Sequence, residues 1–302
     1  MKRPPFLKLN DKVAIVSPSG NVNPVYVNDA MGILQEWGLE VSVSENALRE
    51  TGRFSGFIEQ RLYDLQTAMD DPKVKLIFCS RGGYGAVHLL DRLDFTAIKN
   101  NPKWLIGFSD ITALHAALHS HGIMSIHGPM VKHFSEEGGT NLSVLYTKSA
   151  ISGRELNYTV PVDHPHLNRL GKTTGVLFGG NLSVYTALLG SKYIKIPRNG
   201  ILFIEDIGEE PYRIDRMIYQ LKISGLFYKI KGLIVGQFTD YEEDSKMYGS
   251  LYESIMSAVN EFDFPVCFGF PVGHTRINLP MIVGGKATLT IKKDTVLLKQ
   301  RY

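Results

Sequence analysis

The chain has 302 residues, 44% hydrophobic and 21% charged, enough for two modest domains or one large one around a packed core. A net charge of +3 and the lack of any dense basic cluster with interleaved aromatics exclude nucleic acid as an expected partner. No apolar run approaches a membrane span, and two cysteines, Cys79 and Cys267, are too few for a disulfide scaffold.

Met1-Lys-Arg-Pro-Pro-Phe6 is followed by Lys8, Asn10, Asp11 and Lys12, not by an apolar signal core, so a cytoplasmic location with reduced thiols is expected. In chain order, Lys12–Ser17 reads as a buried strand ended by Pro18-Ser19-Gly20. A helix with Val27, Met31, Leu34 and Trp37 on one face stops at Gly38. Leu39–Val43 alternates like a strand, and Ile58–Met69 is a helix closing at Asp70-Asp71-Pro72. The strand Val74–Cys79 leads directly into Arg81-Gly-Gly-Tyr-Gly85. Trp104–Phe108 is a further short strand. From Ile111 the spacing of Ile111, Leu114, Ala117 and Leu118 changes to that of one helical face.

Strands alternating with helices through short Gly/Ser turns predict a parallel sheet covered on both faces. Three such turns, Ser17–Gly20, Ser80–Gly85 and Gly107–Asp110, fall at carboxyl ends of predicted strands, where ligand-handling groups collect. The pattern weakens through the loop Ser135–Thr140 and the polar stretch Pro161–Lys172, so the domain boundary is placed there, giving domains 1–160 and 161–302. Beyond it come strands Gly175–Gly179, Gly200–Asp206 and Leu233–Gly236. Helices are predicted over Asn181–Leu189, from Pro211, and around Leu251–Val259. A hairpin, Ala287–Ile291 with Thr295–Leu298, ends the chain.

Ser109 sits at a strand-to-helix turn, which points a hydroxyl outward beside backbone N–H groups that no intrahelical carbonyl satisfies. One such turn can supply both a nucleophile and an oxyanion site, although a serine or aspartate there is also an ordinary helix cap. Ser109 needs a base, and His274 in the turn-rich Phe270-Pro-Val-Gly-His-Thr275 is a candidate. Glu205, at the end of an apolar strand, is a candidate acid, with Asp206, Glu209 and Glu210 as competitors that spacing does not separate. The order Ser, acid, His is that of α/β-hydrolases, but Gly107-Phe-Ser-Asp-Ile111 lacks the second glycine of G-x-S-x-G. A cysteine–histidine pairing through Cys79 is the other nucleophile option, set against its place in a buried strand. Neither G-x-G-x-x-G nor G-x-x-x-x-G-K-[ST] occurs, and His115 with His119 lacks the Glu of H-E-x-x-H, so no cofactor and no metal are expected.

Taken together, Arg81–Gly85, Gly107–Asp110, Gly179–Leu182, Ile204–Arg216 and Gly273-His274 resemble the LD-carboxypeptidase family of serine peptidases. That family comprises muramoyl-tetrapeptide carboxypeptidases, with microcin C7 self-immunity hydrolases as a branch. The resemblance runs from about Lys12 to about Leu289. It implies an N-terminal parallel-sheet α/β domain and a smaller C-terminal α/β domain with a β-barrel-like core, the site lying between them. It also implies Ser109 as nucleophile, His274 as general base and Glu205 as the acid that orients it. The N–H groups of Asp110 and of Gly82 or Gly83 would form the oxyanion hole. The implied substrate is a muropeptide with a free D-amino-acid carboxylate, for which Arg81, Arg213 and Arg216 are candidates. A cytoplasmic homodimer without metal, cofactor, membrane or nucleic-acid partner completes the expectation. A small-ligand binding protein with the glycine turns as cradles is the competing reading from another class.

Overall fold

The computed structural model describes residues 1–302. The elements in chain order begin with β1 (Lys12–Val16), α1 (Pro24–Glu36), β2 (Glu40–Val43), α2 (Ile58–Asp70), β3 (Val74–Cys79) and α3 (Thr96–Asn100). They continue with β4 (Trp104–Gly107), α4 (Thr112–Ser120), β5 (Ser125–His127), α5 (Val131–Ser135), α6 (Leu142–Ile151), β6 (Leu156–Pro161), β7 (Gly171–Asn181) and α7 (Leu182–Ala187). The remainder is β8 (Gly200–Ile207), α8 (Pro211–Ile223), β9 (Ile230–Thr239), α9 (Leu251–Ala258), β10 (Val266–Cys267), β11 (Met281–Val283), β12 (Lys286–Ile291) and β13 (Thr295–Arg301). No helix is long and apolar enough to cross a membrane.

These elements form two compact units, Met1–Arg154 with Arg276–Gly284, and Glu155–Thr275 with Gly285–Tyr302. The single boundary expected at residue 160 differs from this division for two reasons of strand pairing. β6 is an edge strand on β13, and β11 returns to the first sheet to pair antiparallel with β5.

The first unit holds a six-stranded sheet in the order β11-β5-β4-β3-β1-β2, parallel except for β11. Every residue of β4 and all but Lys12 of β1 are buried, the continuous apolar run expected of a parallel strand covered on both faces. Its helices start and stop where side chains require it. Asn23 caps α1 by accepting from Val25 N–H at 3.0 Å, Pro24 opens the helix, and Gly38 at φ +82° takes the chain out of it. The second unit is built on a seven-stranded mixed sheet, β10-β9-β8-β7-β12-β13-β6, parallel across β10 to β7 and antiparallel beyond. Helix α8 buries Ile214, Ile218 and Leu221 with Leu202, Ile204, Leu233 and Val235 of that sheet in one cluster, each full burial stabilising the fold by about 1.5–3 kcal/mol.

Candidate active site

In the first unit, β4 delivers the chain through Phe108 into a single 3₁₀ turn, Ser109–Ile111, that continues as α4. Ser109 has φ +62°, in the left-handed region, a conformation that costs a non-glycine residue about 1–3 kcal/mol and persists only where the surrounding structure holds it. The strand end that leads into it is anchored. The Gly107 carbonyl accepts from Gly128 N–H at 3.0 Å and from His115 Nε2 at 2.8 Å. Since Nε2 donates there, His115 Nδ1 is the acceptor for the Ser125 hydroxyl at 2.8 Å. Burial pushes the His115 pKa down to about 4, against the pull of that Gly107 bond, so the ring is a neutral strut at working pH. His115 thus ties α4 to the end of β4 and to β5, contacts its sequence spacing to His119 did not reveal.

Arg81–Gly85 lies against this turn. A Cβ on Gly82 would meet Ser109 Cβ at 2.7 Å and Oγ at 3.0 Å, so only glycine lets the two segments come this close. The Gly82 carbonyl accepts from Gly20 N–H at 2.9 Å. The N–H groups of Asp110, Gly82 and Gly83 enter none of the backbone pairs that tie these turns together. The buried Asp110 carboxylate accepts through one oxygen from Ser19 Oγ at 2.6 Å and from Ala86 N–H at 2.8 Å. All three strand-end turns singled out in the sequence thus meet at Asp110 and Ser109.

In the second unit, Glu205 lies on β8 with its Cα opposite Asn181 of β7. Its side chain is wholly buried, and Oε2 accepts from His274 Nδ1 at 2.8 Å. Oε1 is buried with no hydrogen-bond partner. With Nδ1 donating to the carboxylate, His274 Nε2 is left as the basic nitrogen. Burial acts to lower the His274 pKa, but the Glu205 bond and charge, with the charges of Asp206 and Asp240, outweigh it and leave the pKa raised.

The backbone around His274 is fixed to β9. Gln237 N–H donates to the Val272 carbonyl at 2.9 Å, and Gln237 Nε2 to the Gly269 carbonyl at 2.7 Å. Gly273 has φ +127°, and a Cβ there would meet Glu205 Cβ at 2.9 Å. Among the four carboxylates left open by the sequence, geometry therefore singles out Glu205 as the histidine partner. Alternation along the strand turns Asp206 the other way, where it accepts from Asn181 Nδ2 at 2.9 Å and Ser183 N–H at 2.8 Å at the start of α7. Burial and the neighbouring Glu205 charge raise its pKa to about 6, against those hydrogen bonds.

The three arginine candidates are exposed. Arg81 Nη1 donates to the Asn21 carbonyl at 2.7 Å. Arg213 Nε donates to Tyr212 Oη at 3.1 Å, with Nη1 3.9 Å from Glu209, and Arg216 lies over the Tyr212 ring. Cys79 is fully buried and burial pushes its thiol pKa up, which removes the alternative thiolate nucleophile. No group of three His, Cys, Asp or Glu side chains is arranged to hold a metal ion.

Known proteins match this sequence over nearly the whole chain. Residues 13–128 match the LD-carboxypeptidase N-terminal domain and residues 174–289 the LD-carboxypeptidase C-terminal domain. A probable murein peptide carboxypeptidase of Bacillus subtilis is 33% identical over 98% of this chain and 94% of its own length. The crystal structure of muramoyltetrapeptide carboxypeptidase from Oxalobacter formigenes superposes with a TM-score of 0.87 at 31% identity, covering 96% of this chain and 99% of that one. An MccF-like protein from Bacillus anthracis superposes with a TM-score of 0.88 at 26% identity over 100% of both chains.

Proposed function

The chain belongs to the LD-carboxypeptidase family, and from that premise we propose that it is a serine-type LD-carboxypeptidase that removes the terminal D-alanine of murein tetrapeptides during cell-wall recycling. The observation that carries the reading is the buried Glu205–His274 pair, which leaves Nε2 as a base in a chain whose serine stands strained at a strand-to-helix turn. In this reading His274 accepts the Ser109 proton as Oγ attacks the carbonyl between an L-centre and the terminal D-amino acid. The N–H groups of Asp110 and of Gly82 or Gly83 hold the oxyanion. The imidazolium, stabilised by Glu205, then protonates the departing amine, and water hydrolyses the acyl-enzyme with His274 again as base. Arg81, Arg213 and Arg216 are the candidates for the substrate carboxylate. We read the chain as a cytoplasmic homodimer, which light scattering on the purified protein tests.

The test is incubation of purified protein with L-Ala-γ-D-Glu-meso-diaminopimelate-D-Ala, with released D-alanine assayed and Ser109→Ala as the blank. Release by the wild type alone is the expected result; release by both proteins overturns the nucleophile. The similarity to an MccF-like protein supports a second reading, a microcin-immunity-type hydrolase of acyl-adenylates. Turnover of an aminoacyl-adenylate analogue with no D-alanine release would select it.

A further inference from the structure

Arg61 of α2 is among the largest fully buried side chains, yet it pairs with no carboxylate at ion-pair distance. A buried, unpaired guanidinium is costly, so its retention asks what it holds. It holds backbone. Nη1 donates to the Pro18 carbonyl at 2.7 Å and to the Gly85 carbonyl at 2.9 Å, joining the turn after β1 to the turn after β3. Gly85, at φ +122°, is where a Cβ would come within 2.8 Å of that nitrogen, so the glycine is what admits the guanidinium. The guanidinium lies over the Phe54 ring, with Cζ 5.0 Å from the ring centroid. Burial lowers the Arg61 pKa, and the Asp110 charge acts against that. From the opposite direction Asp110 ties the same two turns, through Ser19 and Ala86, to the residue next to Ser109.

We propose that Arg61 is a positioning residue for the reaction at Ser109: by holding the Pro18 and Gly85 carbonyls it sets where Gly82 and Gly83 present their N–H groups to the oxyanion. This rests on the reading of Ser109 as nucleophile. Arg61 touches no reacting atom, so its loss misplaces the donors without removing substrate contacts. A displacement of that kind lowers kcat by about 100-fold and leaves KM within about threefold.

The experiment compares wild type, Arg61→Ala and Arg61→Lys for kcat and KM of D-alanine release. The rate at which a fluorophosphonate labels Ser109 is measured in parallel. Arg61→Ala is expected to lose kcat with KM retained, and added guanidinium, well below unfolding concentrations, is expected to restore part of the loss without affecting wild type. Arg61→Lys, a single-point donor, is expected to fall between the two. Wild-type kcat in a folded Arg61→Ala overturns the proposal, as does a joint loss of kcat and KM that guanidinium does not relieve. If Arg61→Ala fails to fold, a folded Arg61→Lys with wild-type kcat overturns it, and one with a kcat loss at retained KM supports it. If wild type releases no D-alanine but is labelled at Ser109, the substrate reading falls and the labelling rates decide the role of Arg61. A wild type inert to both overturns the two together.

Discussion

The turn that carries Ser109 and the pair Glu205–His274 share one device and differ in everything else. Each sets a glycine where a Cβ has no room, Gly82 against Ser109 and Gly273 against Glu205. At Ser109 the remaining constraint is on backbone. The left-handed Ser109 follows a strand end anchored through the Gly107 carbonyl, and the neighbouring turns are tied through Ser19, Arg61 and Asp110. At His274 the constraint is electrostatic, one carboxylate oxygen buried against an imidazole whose pKa it raises. A nucleophile must be held in place, whereas a base must be held in place and also tuned. The two regions place their charges accordingly: Asp110 bonds donors of the backbone and of Ser19, while Glu205 bonds the imidazole proposed as the base.

The largest expected effects are at the proposed nucleophile and base. Ser109→Ala and His274→Ala are each expected to lower D-alanine release by about 10⁴-fold or more while leaving the circular dichroism spectrum unchanged. Substantial turnover by either purified variant would break the comparison at its root. Glu205→Gln keeps the shape but loses the charge, and about 10³- to 10⁴-fold in kcat is expected to go with it.

The pH profile sharpens the same contrast. Because the His274 pKa lies above the ordinary 6.5, activity should rise with pH through that elevated value. The sign for stability is opposite: the pairing contributes fully below the unfolded value of about 6.5 and is lost as pH rises through the folded one. In any residual activity of Glu205→Gln the acidic limb should move to lower pH; an unmoved limb would mean that Glu205 does not tune the base.

Gly82→Ala tests the backbone side. The added methyl meets Ser109 Cβ at 2.7 Å, and a misplacement of this kind is expected to lower kcat by about 100-fold, measured as D-alanine release by a variant of wild-type fold. The smallest effect is at Cys79. Cys79→Ala should keep wild-type kcat and destabilise by about 1 kcal/mol in urea unfolding, since its thiol is buried and protonated.

The unequal legibility of the two regions follows from the same physics. A strand-to-helix turn is local, so the change from the run at Trp104 to the helical spacing after Ile111 marked Ser109 directly. Glu205 and His274 are 69 residues apart, and their contact depends on how the Gly273 loop docks on β9; only the family resemblance joined them in advance. Arg61 stayed hidden because a buried polar side chain on an amphipathic helix looks like any other residue in the pattern, and His115 because α4 is buried on every face. Helix α6 is hard to read from the sequence because Leu142 and Leu145 face outward while Ser143 and Thr147 share the buried face with Val144, Ala150 and Ile151, which blurs the apolar stripe. β11 has three residues, too few to show a period, and its pairing with β5 is long-range.

The most direct test of the nucleophile is peptide mapping of wild-type protein quenched in acid during turnover of the tetrapeptide. The expected result is an L-Ala-γ-D-Glu-diaminopimelyl ester on the peptide that contains Ser109, absent from Ser109→Ala. An adduct on any other residue, or D-alanine release by Ser109→Ala at the wild-type rate, would contradict it.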